Sequence, residues 1–295
     1  MEPTARSPSR SSSGRNRRLP LPNASVRCCE RRLFFCAARL RIPPQIVNFA
    51  RMIETELCAY GIEACRAAAR AGLTRVELCA SPYEGGTTPS AAAIRQARRV
   101  GGVRLSVMIR PRGGDFLYTD EEFAQMLDDV RFARAEGADC VVAGLLTADG
   151  QIDEARTAAL VAEAGSMEVT FHRAFDMVRD QREALEALVR AGCRRVLTSG
   201  GRNTAEEGLG RLRELVRQAD GRIGIMAGSG VRPSNAARIA AAGVDALHFS
   251  ARCLRESGMT YRNPAVSMGG VEGIPEYATI ACDERTIAEI LNTLS

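Results

Sequence analysis

Residues 184–200 read ALEALVRAGCRRVLTSG, and this stretch decides the fold. It is the end of a helix (Gln181–Ala191), a glycine that stops it (Gly192), a short apolar strand (Arg195–Thr198) and a glycine turn (Ser199-Gly200-Gly201). The same Ala-Gly–strand unit recurs at Ala71-Gly72 and Ala242-Gly243. Working outward, short apolar runs alternate with helical patterns from Met52 onward. The strands read as Ile53–Cys58, Arg75–Cys79, Val103–Arg110, Cys140–Leu145, Glu168–Arg173, Arg195–Thr198, Arg222–Ala227 and Ala246–Ser250. The helices between them read as Ile62–Ala71, Ser90–Val100, Asp120–Glu136, Asp153–Ala164, Gln181–Ala191, Thr204–Gln218 and Pro233–Ala242, with a last one near Glu284–Leu294. Strands that alternate with helices argue a parallel sheet with crossover connections. Eight such units predict an α/β fold, a (β/α)8 TIM barrel forming a single domain over residues 52–295. A doubly wound open sheet is the runner-up. It calls for a GxGxxG turn after the first strand, where residues 58–64 read CAYGIEA.

The chain has 295 residues, 45% apolar and 25% charged, an ordinary globular composition. No apolar run reaches the ~18 residues of a membrane span, so no membrane partner is expected. All 40 basic positions are arginine. The absence of lysine excludes a lysine Schiff base, pyridoxal phosphate chemistry of that kind and a Walker-type phosphate loop. Charge is uneven: residues 1–51 carry 11 arginines against Glu2 and Glu30, whereas the remainder carries 29 arginines against 33 acids. The mildly acidic body predicts no nucleic-acid partner. Residues 1–51, rich in Ser, Pro and Arg, read as a disordered N-terminal extension. An over-extended start before Met52, an organelle transit peptide and a functional tail all fit this composition. Cys28, Cys29 and Cys36 lie within it and receive no role.

In such a barrel the working residues sit at the C-terminal strand ends. Period-two alternation puts Glu56 with Cys58, and Glu77 with Cys79, on one face each. The third strand ends in Arg110, the fifth in Thr170 and His172 with Arg173 opposite, and the eighth in His248 and Ser250. Glu56, Glu77, Arg110 and His172 are expected to meet at one mouth, within reach of a small anionic ligand. Asp176 would either orient His172 or belong to the turn after it. The glycine turns at Ser199-Gly200 and at Gly228-Ser229-Gly230 offer backbone N–H groups to a phosphate or other anion.

The motifs LCASPYEGGTTPS (78–90), IRPRGGDF (109–116), TFHRAFDM (170–177), VLTSG (196–200), IMAGSGV (225–231) and YRN (261–263) together resemble the CutC family. The resemblance covers essentially all of residues 52–295. It implies a cytoplasmic TIM barrel named for copper homeostasis, with Cu(I) bound through two cysteines on the first two strands. These carry over onto Cys58 and Cys79, in the two ELC triplets at 56–58 and 77–79. Neighbouring strands lie ~4.8 Å apart, so same-face thiolates could clamp a soft ion. Met108 and Met226 read either as thioether helpers or as core filling. The other body cysteines, Cys65, Cys140, Cys193, Cys253 and Cys282, form no CxxC pair, which argues reduced thiols rather than a disulfide framework. Two functions stay open. One is a copper-handling protein with a copper ion as partner. The other is a metal-independent enzyme acting on a small phosphorylated or carboxylated metabolite, with Glu56 or Glu77 as base, His172 as acid and Arg110 as anion clamp. The oligomeric state is open, a homo-oligomer included.

Overall fold

Alternate residues of a strand face opposite ways, and in this chain each strand spends one face on charge or sulfur and the other on aliphatics. The computed structural model describes residues 53–268 and 273–295. The expectations for residues 1–51, with Cys28, Cys29 and Cys36, and the start at Met52 lie outside the described residues. The described residues cluster as one compact unit.

Eight parallel strands close into a barrel in chain order. They are β1 (Glu54–Ala59), β2 (Arg75–Leu78), β3 (Arg104–Met108), β4 (Cys140–Ala143), β5 (Glu168–Phe171), β6 (Arg195–Thr198), β7 (Gly224–Ala227) and β8 (Ala246–Phe249), and β8 returns to pair with β1. The helices are α1 (Ile62–Arg70), α2 (Ala91–Arg98), α3 (Asp120–Ala135), α4 (Glu154–Ala164), α5 (Gln181–Ala191), α6 (Leu209–Ala219) and α7 (Ala236–Ala240). The TIM barrel expected from the Ala-Gly–strand unit is therefore the fold. In the quoted stretch, Ala184, Leu185, Ala187, Leu188 and Ala191 are the buried stripe of α5. Asp180 caps its start, accepting from the Arg182 and Glu183 amides. Gly192 ends it at φ +86°, where a side chain would be strained.

The outward strand residues, such as Leu57, Val76, Leu105, Val141, Val196 and Ile225, join the helix stripes in the main core. The inward ones divide into a thiol-rich cluster of Cys58, Cys79, Met108, Cys140 and Val142 and a smaller one of Leu197, Met226 and Ala246. Among the boundaries that differ from the sequence reading, three concern the loops around the mouth. β3 stops at Met108, so Arg110 sits in the following loop, and β5 stops at Phe171, after which Arg173–Met177 form a 3-10 turn. α6 begins at Leu209, since residues 205–208 form a turn before it. Beyond the barrel, β9 (Arg252–Glu256) pairs antiparallel with β10 (Ala278–Cys282). Every residue of β9 is exposed, so it carries no alternation by which to recognise a strand. The final helix, α8 (Glu284–Leu294), has the span read from sequence.

Candidate metal and ligand site

The barrel interior is built in layers. At its floor Arg104 pairs with Glu168 (2.9 Å), Arg195 with Glu168 (3.2 Å) and Glu54 (3.5 Å), and Arg75 with Glu54 (2.6 Å) and Glu56 (3.1 Å). Arg75 is wholly buried, as is Glu56. Arginine suits this place because its planar fork reaches two carboxylates at once. Ser106 donates to the same Glu56 oxygen at 3.1 Å, and the other oxygen meets His248 Nδ1 at 2.9 Å. Burial alone would raise the Glu56 carboxyl, but His248, Arg75 and Arg195 outweigh it and hold its pKa at about 2. Glu56 is therefore an ionised anchor.

One level higher, His248 Nε2 lies 3.7 Å from Glu77 Oε2, and the Cys79 thiol donates to that oxygen at 3.4 Å. Cys58 Sγ stands 4.0 Å from Cys79 Sγ. Ligand atoms of Cys58, Glu77 and His248 all fall within 4.8 Å of one another, close enough together to hold a metal ion. The register brings this about: Cys58 pairs with Glu77 across β1–β2, and Glu56 with His248 across β1–β8. A hydrogen bond from Cys79 pulls the Cys58 thiol well below the usual range, with burial opposing and His248 assisting. Burial pushes the Glu77 carboxyl well above its usual range, with Cys58 and Glu56 adding to the effect. Burial disfavours a charged His248, yet Glu77, Cys58 and Glu56 around it draw its pKa well up. Gly86, from the EGG of the β2 loop, lies close against Cys79, since a Cβ there would be 3.3 Å from Cys79 Sγ.

Above the thiols opens a cavity of about 650 Å³ lined by Cys58, Glu77, Arg110, His172 and His248 among others. Arg110 donates to the carbonyls of Glu84 (2.7 Å), Gly86 (2.9 Å) and Gly114 (2.9 Å), and its guanidinium lies over the Phe116 ring. His172 Nδ1 accepts from the Ala174 amide at 3.1 Å. Burial, aided by the Arg110 charge, lowers the His172 pKa to about 3, so the ring is neutral.

The expected quartet is thus brought together only in part. Glu77, Arg110 and His172 line the cavity, while Glu56 lies beneath it with both oxygens engaged. Asp176 turns away from His172. Its Oδ1 accepts from the Thr198 hydroxyl (2.5 Å) and the Gly201 amide (3.0 Å), and its Oδ2 from Arg173 Nε (2.8 Å) and the Ser199 hydroxyl (2.9 Å). The Ser199 amide also donates to Asp176, and the Gly200 amide to Thr198 Oγ1, so this anion seat already holds a carboxylate of the chain itself. The Gly228 amide donates to the Thr198 carbonyl, whereas Gly230 borders the cavity. Two residues of consequence went unassigned in the sequence reading. His248 was seen at a strand end, but only the register shows that it joins Glu56 to the thiols. Gly144 carries no signal in the sequence, and a Cβ there would be 2.5 Å from His172 Nδ1.

A model described as the CutC family matches residues 53–253, which carry every group named above. The chain belongs to the CutC family. A CutC family protein of Bacteroides fragilis is 49% identical over 245 residues, 81% of this chain and 98% of its own. One from Chromobacterium violaceum is 49% identical over 241 residues, 80% and 97%. A Streptococcus agalactiae structure described as a copper homeostasis protein CutC superposes with a TM-score of 0.65 at 35% identity, covering 68% of this chain and 99% of that one. Within this CutC barrel no described helix is long and apolar enough to cross a membrane.

Proposed function

We propose that this CutC family member serves copper homeostasis by holding Cu(I) on the thiolates of Cys58 and Cys79, with His248 Nε2 as a third donor. The observation that carries this reading is the 4.0 Å separation of the two sulfurs. With metal–thiolate bonds of roughly 2.3 Å, a trigonal set spaces two sulfurs about 4.0 Å apart and a linear pair about 4.6 Å. Two thiolates and an imidazole are a soft donor set, suited to a soft monovalent ion. The surroundings support it too. A ligating histidine commonly gives its other N–H to a carboxylate, and Glu56 lies 2.9 Å from His248 Nδ1, placed to hold that N–H while Nε2 gives up its proton as the metal binds. Metal binding releases thiol protons, and Glu77 is already the acceptor for Cys79. The cavity above gives the ion a way in. Thiols that must stay reduced suit a reducing compartment, consistent with the cytoplasm.

The test is competitive Cu(I) titration of the reduced protein against a chromophoric chelator. Cys58→Ser and Cys79→Ser are each expected to weaken binding by more than about a hundredfold, and His248→Ala by roughly tenfold. Wild-type affinity in both cysteine variants would remove the site.

A further inference from the structure

Among the described residues eight large hydrophobic side chains are exposed, and each belongs either to a mouth loop or to the segment after β8. Tyr83, Leu117 and Met177 stand on the loops that follow β2, β3 and β5. Leu254, Met259, Tyr261, Val266 and Met268 belong to an arm that starts at β9. The helices that ring the barrel, α1 to α8, contribute none. Apolar residues scattered over a surface need no explanation, whereas this concentration does. The arm ties its polar groups to itself. The Met268 amide donates to Glu276 (2.7 Å), the Asn263 amide to the Tyr277 hydroxyl (2.6 Å), and Arg262 pairs with Glu256 (3.0 Å). Its apolar side chains are left outside, Met268 at 84% exposure. At its root Arg252 lines the cavity and donates to the Pro82 carbonyl at 3.3 Å, yet no described residue from 253 to 285 lines the cavity. The arm therefore springs from its own mouth without covering it.

Two properties fit this arm to the mouth of another copy. The first is charge. Residues 256–277 carry Glu256, Glu272 and Glu276 against Arg262, while Arg173, Arg232 and Arg252 line the cavity. The second is area. Eight large side chains, 47% to 84% exposed, present on the order of 900 Å² per copy, against the ~800 Å² per partner of a standard interface. A two-fold axis covers both patches at once, because the arm of each copy then meets the mouth loops of the other. We propose that the chain forms a two-fold homodimer in which the arm of each copy lies across the mouth loops of its partner. Each mouth cavity is thereby roofed by the other chain.

Gel filtration with light scattering on the full chain tests it, run in reductant so that the exposed Cys253 cannot cross-link copies. A dimer is expected at micromolar concentration. Tyr261→Asp and Met268→Asp, on the arm, should each raise the dissociation constant by at least about thirtyfold, as loss of an interface anchor does. Met177→Asp, on the mouth loop after β5, should do the same. All three should keep the wild-type circular dichroism, because these side chains are exposed and support no core. A monomeric wild type would overturn the proposal, and so would a dimer that none of the three variants weakens. A dimer lost in the arm variants but intact in Met177→Asp would overturn it too, since the arms would then meet each other rather than the mouth.

Discussion

The floor and the mouth of the barrel use the same side-chain chemistry to opposite ends. At the floor, Arg75, Arg104 and Arg195 interleave with Glu54, Glu56 and Glu168, and each carboxylate meets at least one guanidinium within 3.5 Å. At the mouth, Arg110 has no carboxylate, His172 keeps a ring nitrogen unpartnered, and Glu77 has one oxygen engaged and one orphaned. A saturated network rigidifies, whereas an unsaturated one costs stability unless something else completes it. The floor is therefore read as structure and the mouth as the working end. His248 stands at the boundary, tied below to Glu56 and facing the thiols above.

Three measurements would break or sharpen this contrast. The largest effect belongs to the floor. Arg75→Met strips the wholly buried Glu56 of its guanidinium and should cost roughly 3–5 kcal/mol in chemical denaturation, as breaking a buried ion pair does. A loss below about 1 kcal/mol would mean that the floor is not a closed lattice. Next comes Gly144→Ala, which sets a methyl 2.5 Å from His172 Nδ1 and 2.9 Å from Ala174 Cβ. Overpacking of this kind should cost about 1–3 kcal/mol and lower the melting temperature. No change there would show that His172 has slack.

The smallest effect is a pH dependence of the mouth. His172 has its folded pKa lowered from 6.5 to about 3, so the unfolded chain binds the extra proton between those values. Its stabilising contribution is complete above pH 6.5 and is lost as pH falls toward 3. At pH 5.5 the loss should be roughly 1 kcal/mol relative to pH 8, seen as the part of the pH dependence that disappears in His172→Phe. An identical pH profile in that variant would place the proton elsewhere.

Much of this is legible in the sequence. Apolar alternation and the glycine after each helix are local signals, since side-chain direction in a short strand follows from its pleat and a helix end from one residue's φ. They sufficed for eight strand–helix units, closure into a barrel, and the inward placing of Glu56, Cys58, Glu77 and Cys79. Arg110 and His172 were found as polar residues at strand ends, though each lies just past its strand. The pairing of charges was not legible, because it depends on register between strands far apart in sequence. His248 is 192 residues from Glu56 and meets it only because β8 closes on β1. The same holds for three partners of Asp176, since Thr198, Ser199 and Gly201 lie 22 to 25 residues on, at the end of β6 and in the loop after it. Composition and periodicity thus determined the barrel and which side chains face its inside. Closure of the ring alone decided which of those groups satisfy one another and which are left without a partner, since hydrogen bonds and ion pairs act over a few ångströms that sequence distance does not record.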